Sequence, residues 1–354
     1  MTMNNNKENG IILSWNALRL IFILCIVYFH THSGAFWSDK LKFITEYGGY
    51  LGNYFFFFIS GVLISRKWKN KIADENVSPW KFLFSRIKRF YPLYIFSELV
   101  IISWMIINSG IGSISITQVL TDIFLVTNGW IMTYNITPYN MPAWFLCVLV
   151  LCYVFYYVIC RLSRKSNTLY LLLIAFMCLL GLFLRRANLA IPFMYRTTGE
   201  GYACFFAGTV FYRFWEVYVK DHEKAFCFVS LGVLAAIIAG TVLLSPKVFW
   251  ADEAVIVILI SASCLYLTKT KKIQPFFENK AVSFISNLSM EIFLMHIPLW
   301  VIYRDVIRIN GLVLNENVIY YIAYLLLLLV ISALIHLVRE IIKEKAQRKE
   351  SRQA

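Results

Sequence analysis

Charge is scarce in this chain. Only 15% of its 354 residues are Asp, Glu, Lys or Arg, whereas 59% are hydrophobic, and so small a polar supply cannot wet the surface of a soluble protein. A water-soluble globular domain is thereby excluded, and the chain reads as an integral membrane protein. Cysteine pairing is missing as well: the eight cysteines all sit in apolar stretches and none forms a close pair such as Cys-x-x-Cys. That argues against a disulfide framework or a zinc site, so the cysteines read as small packing residues and no metal is expected. No long hydrophilic segment marks a soluble domain, and no internal repeat of solenoid period is present.

What the chain does have is a succession of apolar runs of roughly 17 to 22 residues, each long enough to cross a bilayer core of about 30 Å as a helix. Ten are expected, at 11–30, 48–65, 91–108, 141–160, 168–185, 201–217, 225–244, 252–268, 282–303 and 318–338. The fold expected is therefore all-α: a bundle of about ten transmembrane helices, with residues 1–340 as a single membrane domain and 341–354 as a basic cytoplasmic tail. The first run does not read as a cleavable signal peptide, because no small-residue cleavage site follows "HTHSG". The stretch 116–127 is too short and polar to cross and reads as a re-entrant or interfacial helix.

Lysine and arginine concentrate on the cytoplasmic side of membrane proteins. With ten spans they gather in alternate segments, above all 66–89 and the C-terminal tail, which sets both termini in the cytoplasm. The same asymmetry accounts for the net charge of +14, so nucleic acid is not an expected partner. The loop with Arg185, Arg186 and Arg196 fits this topology poorly.

Charges at membrane depth are costly, about 2.5 to 3.5 kcal/mol on insertion scales, and become functional candidates by default. In "NALRLIFILCIVYFHTHSG" (16–34) Arg19 and His30 are eleven residues apart, which is three helical turns plus about 20°, so both project from one face about 16 Å apart along the axis. The bland alternative has Arg19 snorkelling and His30 at the headgroups. His32, two residues on, is a rival base that faces elsewhere on a continuing helix. Arg86, Lys88 and Arg89 stand directly before Pro92, which suits the first turn of the next helix; arginine forks of this kind bind phosphates, although such clusters also simply set topology. The four phenylalanines Phe55 to Phe58 read as packing, and Gly48, Gly49, Gly52 and Gly61 as sites of close helix approach. Glu291 and His296, five apart in the ninth run, read as two separate polar points facing the bundle interior. Trp144 and the aromatic outer loop 127–140 are weak candidates for stacking on a sugar, or equally an interfacial belt.

Four stretches together resemble the acyltransferase-3 family of membrane acyltransferases. "NALRLIFILCIVYFH" is similar to its Arg-x10-His, "FFFFISGVLIS" to its FFxxSGxLi, "SRIKRFYPLY" to its RxxR before a proline-led helix, and "SNLSMEIFLMHIPL" to its late S…YLxH. The resemblance implies transfer of an acyl group, usually acetyl, from cytosolic acyl-CoA to a hydroxyl of a surface glycan or lipid-linked sugar. It implies Arg19 and His30 as the essential first-helix pair and Arg86 and Arg89 as the basic motif near the donor, with Lys88 beside them. Many members have an aspartate where this chain has Asn16, which can accept a hydrogen bond from Arg19 one turn away but cannot neutralise it. Asn16, Trp144, Glu291 and His296 are the weaker, substrate-side candidates. The appended hydrolase-like domain of some members is not seen, so transfer is expected to finish within the membrane domain.

The expected donor is thus acetyl-CoA, and the expected acceptor an O-antigen, capsule or exopolysaccharide or its lipid-linked precursor, met among the lipids of a bacterial cytoplasmic (inner) membrane. An imidazole can remove a hydroxyl proton or carry the acyl group covalently, and both routes stay open for His30. The competing class is a polysaccharide or lipid-linked sugar transporter, which internal halves would favour; no second Arg-x10-His occurs. A glycan polymerase would call for a longer catalytic outer loop.

Overall fold

Serine, proline and glycine set where the helices begin and end. Ser78 caps the helix Pro79–Ile87, its Oγ accepting from the Lys81 N–H at 3.2 Å, while Pro92 occupies the first turn of Tyr91–Ser109 and Gly110, at φ 77°, ends that helix. Glycine carries the positive φ without the Cβ clash that other residues meet. The computed structural model describes residues 2–31, 42–74, 77–130, 137–187, 189–218, 222–244, 252–267, 280–311 and 318–353. Its α-helices are α1 (Thr2–Thr31), α2 (Lys42–Asp74), α3 (Pro79–Ile87), α4 (Tyr91–Ser109), α5 (Ile116–Ile123), α6 (Trp144–Leu162), α7 (Asn167–Ala187), α8 (Arg196–Val217), α9 (Glu223–Leu243), α10 (Glu253–Leu267), α11 (Lys280–Asn287), α12 (Ser289–Ile309) and α13 (Val318–Gln353). No β-strand occurs among the described residues.

A helix lies on each of the ten apolar runs. Among the described residues six are long and apolar enough to cross a membrane: Thr45–Asp74, Tyr91–Ser109, Met141–Leu162, Asn167–Ala187, Lys224–Leu243 and Val318–Arg348. Two more apolar stretches, Leu18–Thr31 and Glu253–Leu267, are shorter, and α8 and α12 are broken up by charges such as Arg213, Glu216, Arg304 and Asp305. The stretch 116–127 folds as the short α5, and its Asp122 carboxylate accepts from Thr127 Oγ1 at 2.6 Å and the Tyr139 N–H at 3.2 Å. Burial raises the pKa of this carboxyl.

Helix α2 sits between α1 and α8, α8 packs in turn on α7, and α12 packs on α4 and α13. The α2–α8 crossing brings backbone against backbone: a Cβ on Gly61 would stand 1.9 Å from the Phe205 carbonyl oxygen, and one on Gly208 would stand 2.0 Å from that of Phe58. Only hydrogen fits at either point, which is how small residues let membrane helices meet. Phe55, Phe57 and Phe58 are buried in this core.

The arginines that fit the charge rule poorly turn out to be neutralised locally. Arg185 holds Asp252 at 2.8 Å and Glu253 at 2.5 Å, Arg186 holds Asp252 at 2.8 Å, and Arg196 lies 3.5 Å from Glu200. Three cations meet three carboxylates, so this end of α7 carries little net charge. At α13, the helix runs unbroken through residue 340, and its His336 and Arg339 reach Glu291 on α12.

Candidate functional site

Three arginines from three separate segments line one cavity of about 270 Å³. Arg19 comes from α1, Arg86 from the last turn of α3, where a cation also suits the helix dipole, and Arg89 from the turn into α4. Arg86 is held in place by Ser85, to whose Oγ its Nε donates at 3.3 Å, and by Trp68, whose ring lies 5.0 Å from the guanidinium carbon. Among the described residues no carboxylate pairs with any of the three. Burial, and then Arg89, pull the Arg86 pKa below its ordinary value, though arginine stays charged. The Nε of Arg19 is buried without a hydrogen-bond partner. An unmet buried donor costs about 1–3 kcal/mol, and a bound oxygen would remove that cost. The donor set fits a polyanionic ligand.

A second feature lies beyond the cavity. His30, in the last turn of α1, and His296 of α12 bring their rings to 5.4 Å between centroids, tilted by 38°. His296 is fully buried, and its Nδ1 lies 2.7 Å from the Phe293 carbonyl oxygen. A carbonyl can only accept, so Nδ1 carries the proton and, in the neutral imidazole, Nε2 keeps its lone pair; among the described residues that Nε2 is buried without a partner. Pro298 contributes to this local frame. Lacking an N–H, it cannot donate to the Leu294 carbonyl one turn back, and that carbonyl accepts from Asn140 Nδ2 at 2.9 Å instead. Asn140 also donates to Ser97 Oγ at 2.9 Å and, through its backbone, to Glu98 at 3.3 Å, while Tyr324 donates to the His296 carbonyl at 2.8 Å. The backbone that carries His296 is therefore tied to α4 and α13.

Three phenylalanine rings cluster on the cavity wall, and one of them adjoins His296. Phe56, Phe145 and Phe293 all line the cavity, with centroids 5.5 Å (Phe145–Phe293), 6.3 Å (Phe56–Phe293) and 6.5 Å (Phe56–Phe145) apart, and Phe293 is 6.1 Å from His296.

Of the residues singled out from the sequence, Arg19, Arg86 and Arg89 come together at the cavity and His30 meets His296 next to it. Lys88 does not join them: it is exposed, with Nζ 6.0 Å from the Phe84 ring, because two and one residues from its neighbours place it on another side of the turn. Glu291 points away to α13, where its carboxylate is held by Arg339 and, at 3.1 Å, His336. Trp144 packs half-buried on Phe57 and Phe145 at 6.2 and 6.5 Å. Asn16 lies on α1, but its side chain is outside the described residues, as is His32 altogether. Sequence reasoning did not single out Phe145, Phe293 or Tyr153, and treated Phe56 as packing although it faces the cavity. The signal available was weak: Phe56 is one of four identical neighbours. Pro298, two residues after His296, was a clearer sign of a modified helix.

A helical bundle with several helices apolar enough to cross a membrane, three arginines lining one cavity, and a half-buried and a buried imidazole paired next to it has the character of a multi-pass membrane protein with an internal polar site. The chain belongs to the acyltransferase-3 family: the family's acyltransferase domain matches residues 12–337, nearly the whole length, which makes it a membrane acyltransferase. No curated protein and no solved structure matches the chain.

Proposed function

We propose that this membrane acyltransferase is an O-acetyltransferase that moves acetyl from cytosolic acetyl-CoA to a hydroxyl of a bacterial surface polysaccharide or its lipid-linked precursor. The reading places it in the inner membrane with ten spans and both termini in the cytoplasm. The observation that carries it is the convergence of Arg19, Arg86 and Arg89 on one cavity whose lining residue Phe293 has its ring 6.1 Å from that of His296.

Arg86 and Arg89 hold the donor phosphates by charge-assisted hydrogen bonds. Arg19 supplies its unmet Nε–H deeper along the donor arm. His30 takes the proton of the acceptor hydroxyl as that oxygen bonds to the thioester carbonyl carbon; the carbon–sulfur bond then breaks, and the departing thiolate receives a proton, so the imidazole ends neutral. His296, whose ring lies 5.4 Å from that of His30 with Nε2 unengaged among the described residues, offers an acceptor to the protonated His30 as the reaction proceeds.

The test is surface-glycan composition by mass spectrometry in cells making wild-type protein or His30→Ala shown to insert normally. Loss of the acetyl increment only in the variant supports the reading. A glycan still fully acetylated in the variant removes His30 as the base, and a glycan lacking acetyl in both removes the acetyl assignment.

A further inference from the structure

The arginine cavity and the imidazole pair are not one open space. Neither His30 nor His296 lines the cavity, whereas Phe56, Phe145 and Phe293 do, and their centroid separations of 5.5 to 6.5 Å are contact distances for aromatic rings. Phe293 is also next to His296, its ring centroid 6.1 Å away. Each comes from a different helix, α2, α6 and α12, so the cluster is a tertiary feature. Phe145 and Phe293 are only 6% exposed, while Phe56 is half-buried.

We propose that these three phenylalanines form a gate that admits the acyl end of the donor to the histidines and restricts it to short acyl groups. The inference rests on the acyl-transfer reading above and deepens it. The charged part of the donor stays with Arg86 and Arg89, so the acyl thioester is the only part that has to pass the rings, and the rings therefore sort donors by acyl size alone. Phe293 links the two functions, since its ring closes the gate and its carbonyl sets the His296 tautomer. Because an apolar pocket discriminates one methylene by about 10-fold or more, a wall of three packed rings favours acetyl over butyryl by a large factor.

The experiment supplies acetyl-, butyryl- or hexanoyl-CoA, radiolabelled in the acyl group, to inside-out membrane vesicles from cells making the full chain and their own glycan. Label in the glycan fraction gives the butyryl-to-acetyl ratio of kcat/KM. The wild type is expected to favour acetyl, and Phe56→Ala or Phe145→Ala to raise the ratio by about 10-fold or more. Phe56→Leu, which keeps an apolar side chain of similar bulk in the core, gives a smaller rise and covers the case in which an alanine variant fails to fold. Transfer by the wild type with equal rates for acetyl and butyryl, or ratios unmoved in the phenylalanine variants, overturns the gate while leaving acyl transfer standing. No label from any donor with wild-type vesicles overturns acyl transfer itself, and the gate with it.

Discussion

Arg86 and Arg339 carry the same charge and are held by opposite logics. Arg86 has no carboxylate partner among the described residues and lines a cavity, so on the proposed acyl-transfer reading Arg86→Gln is expected to raise KM for acetyl-CoA by about 10- to 100-fold, the equivalent of one charge-assisted hydrogen bond of roughly 1.5–3 kcal/mol, with a smaller change in kcat, read from initial rates. Arg339 pairs with Glu291, a carboxylate whose side chain is 1% exposed. Breaking such a pair costs up to about 3–5 kcal/mol when the buried charge is left uncompensated, and less here because His336 still meets Glu291 at 3.1 Å. Arg339→Leu is therefore expected to lower the thermal unfolding midpoint in detergent, and Glu291→Gln in the same chain to recover much of that loss, since the buried carboxylate charge is then gone while the amide can still meet His336. Equal midpoints for the single and double variants would show that the pair does not hold α12 to α13.

At the scale of elements, two local interruptions shape the bundle. The Gly61–Gly208 crossing has no space for a side chain, so Gly61→Leu is expected to prevent α2 and α8 from seating, seen as loss of monodisperse protein in size-exclusion chromatography; Gly110→Ala, with nothing near it but a positive φ, is expected to cost far less. The second interruption is Pro298. Asn140→Ala leaves the Leu294 carbonyl unmet, at about 1–3 kcal/mol; Pro298→Ala restores an N–H one turn away, and the cost of Asn140→Ala is expected to shrink in that background. A double-mutant cycle on unfolding midpoints measures the coupling, and additive effects would show that the two do not share that carbonyl.

For the whole molecule the question is which end of the bundle faces which compartment. Single cysteines at Ser78 and at Gly110, in a chain with the native cysteines replaced, are expected to react with a membrane-impermeant thiol reagent from opposite sides, Ser78 only in inside-out vesicles. Labelling of Ser78→Cys in intact cells would invert the topology and place the arginine cavity away from cytosolic acetyl-CoA. The pairing of Arg185, Arg186 and Arg196 with Asp252, Glu253 and Glu200 bears on the same question, because arginines already neutralised by neighbours exert little pull on orientation.

The amino-acid sequence by itself determined that this is a helical membrane protein, where most helices run, and that Arg19 and His30 share a helix face, since apolar run length and 3.6-residue periodicity are local properties. It also brought Arg86 and Arg89 into view, because charge next to an apolar span is conspicuous. Only the tertiary structure decided that His30 meets His296, 266 positions away along the chain, that Glu291 turns to α13 and not to the cavity, that Lys88 stands outside while its two neighbours line it, and that Phe56 alone of four phenylalanines reaches the site. The physical reason is the same in each case. Periodicity states which residues share a face, whereas the partner that face meets is set by close packing between helices remote in sequence, here anchored at points such as Gly61 against Phe205 where backbones touch.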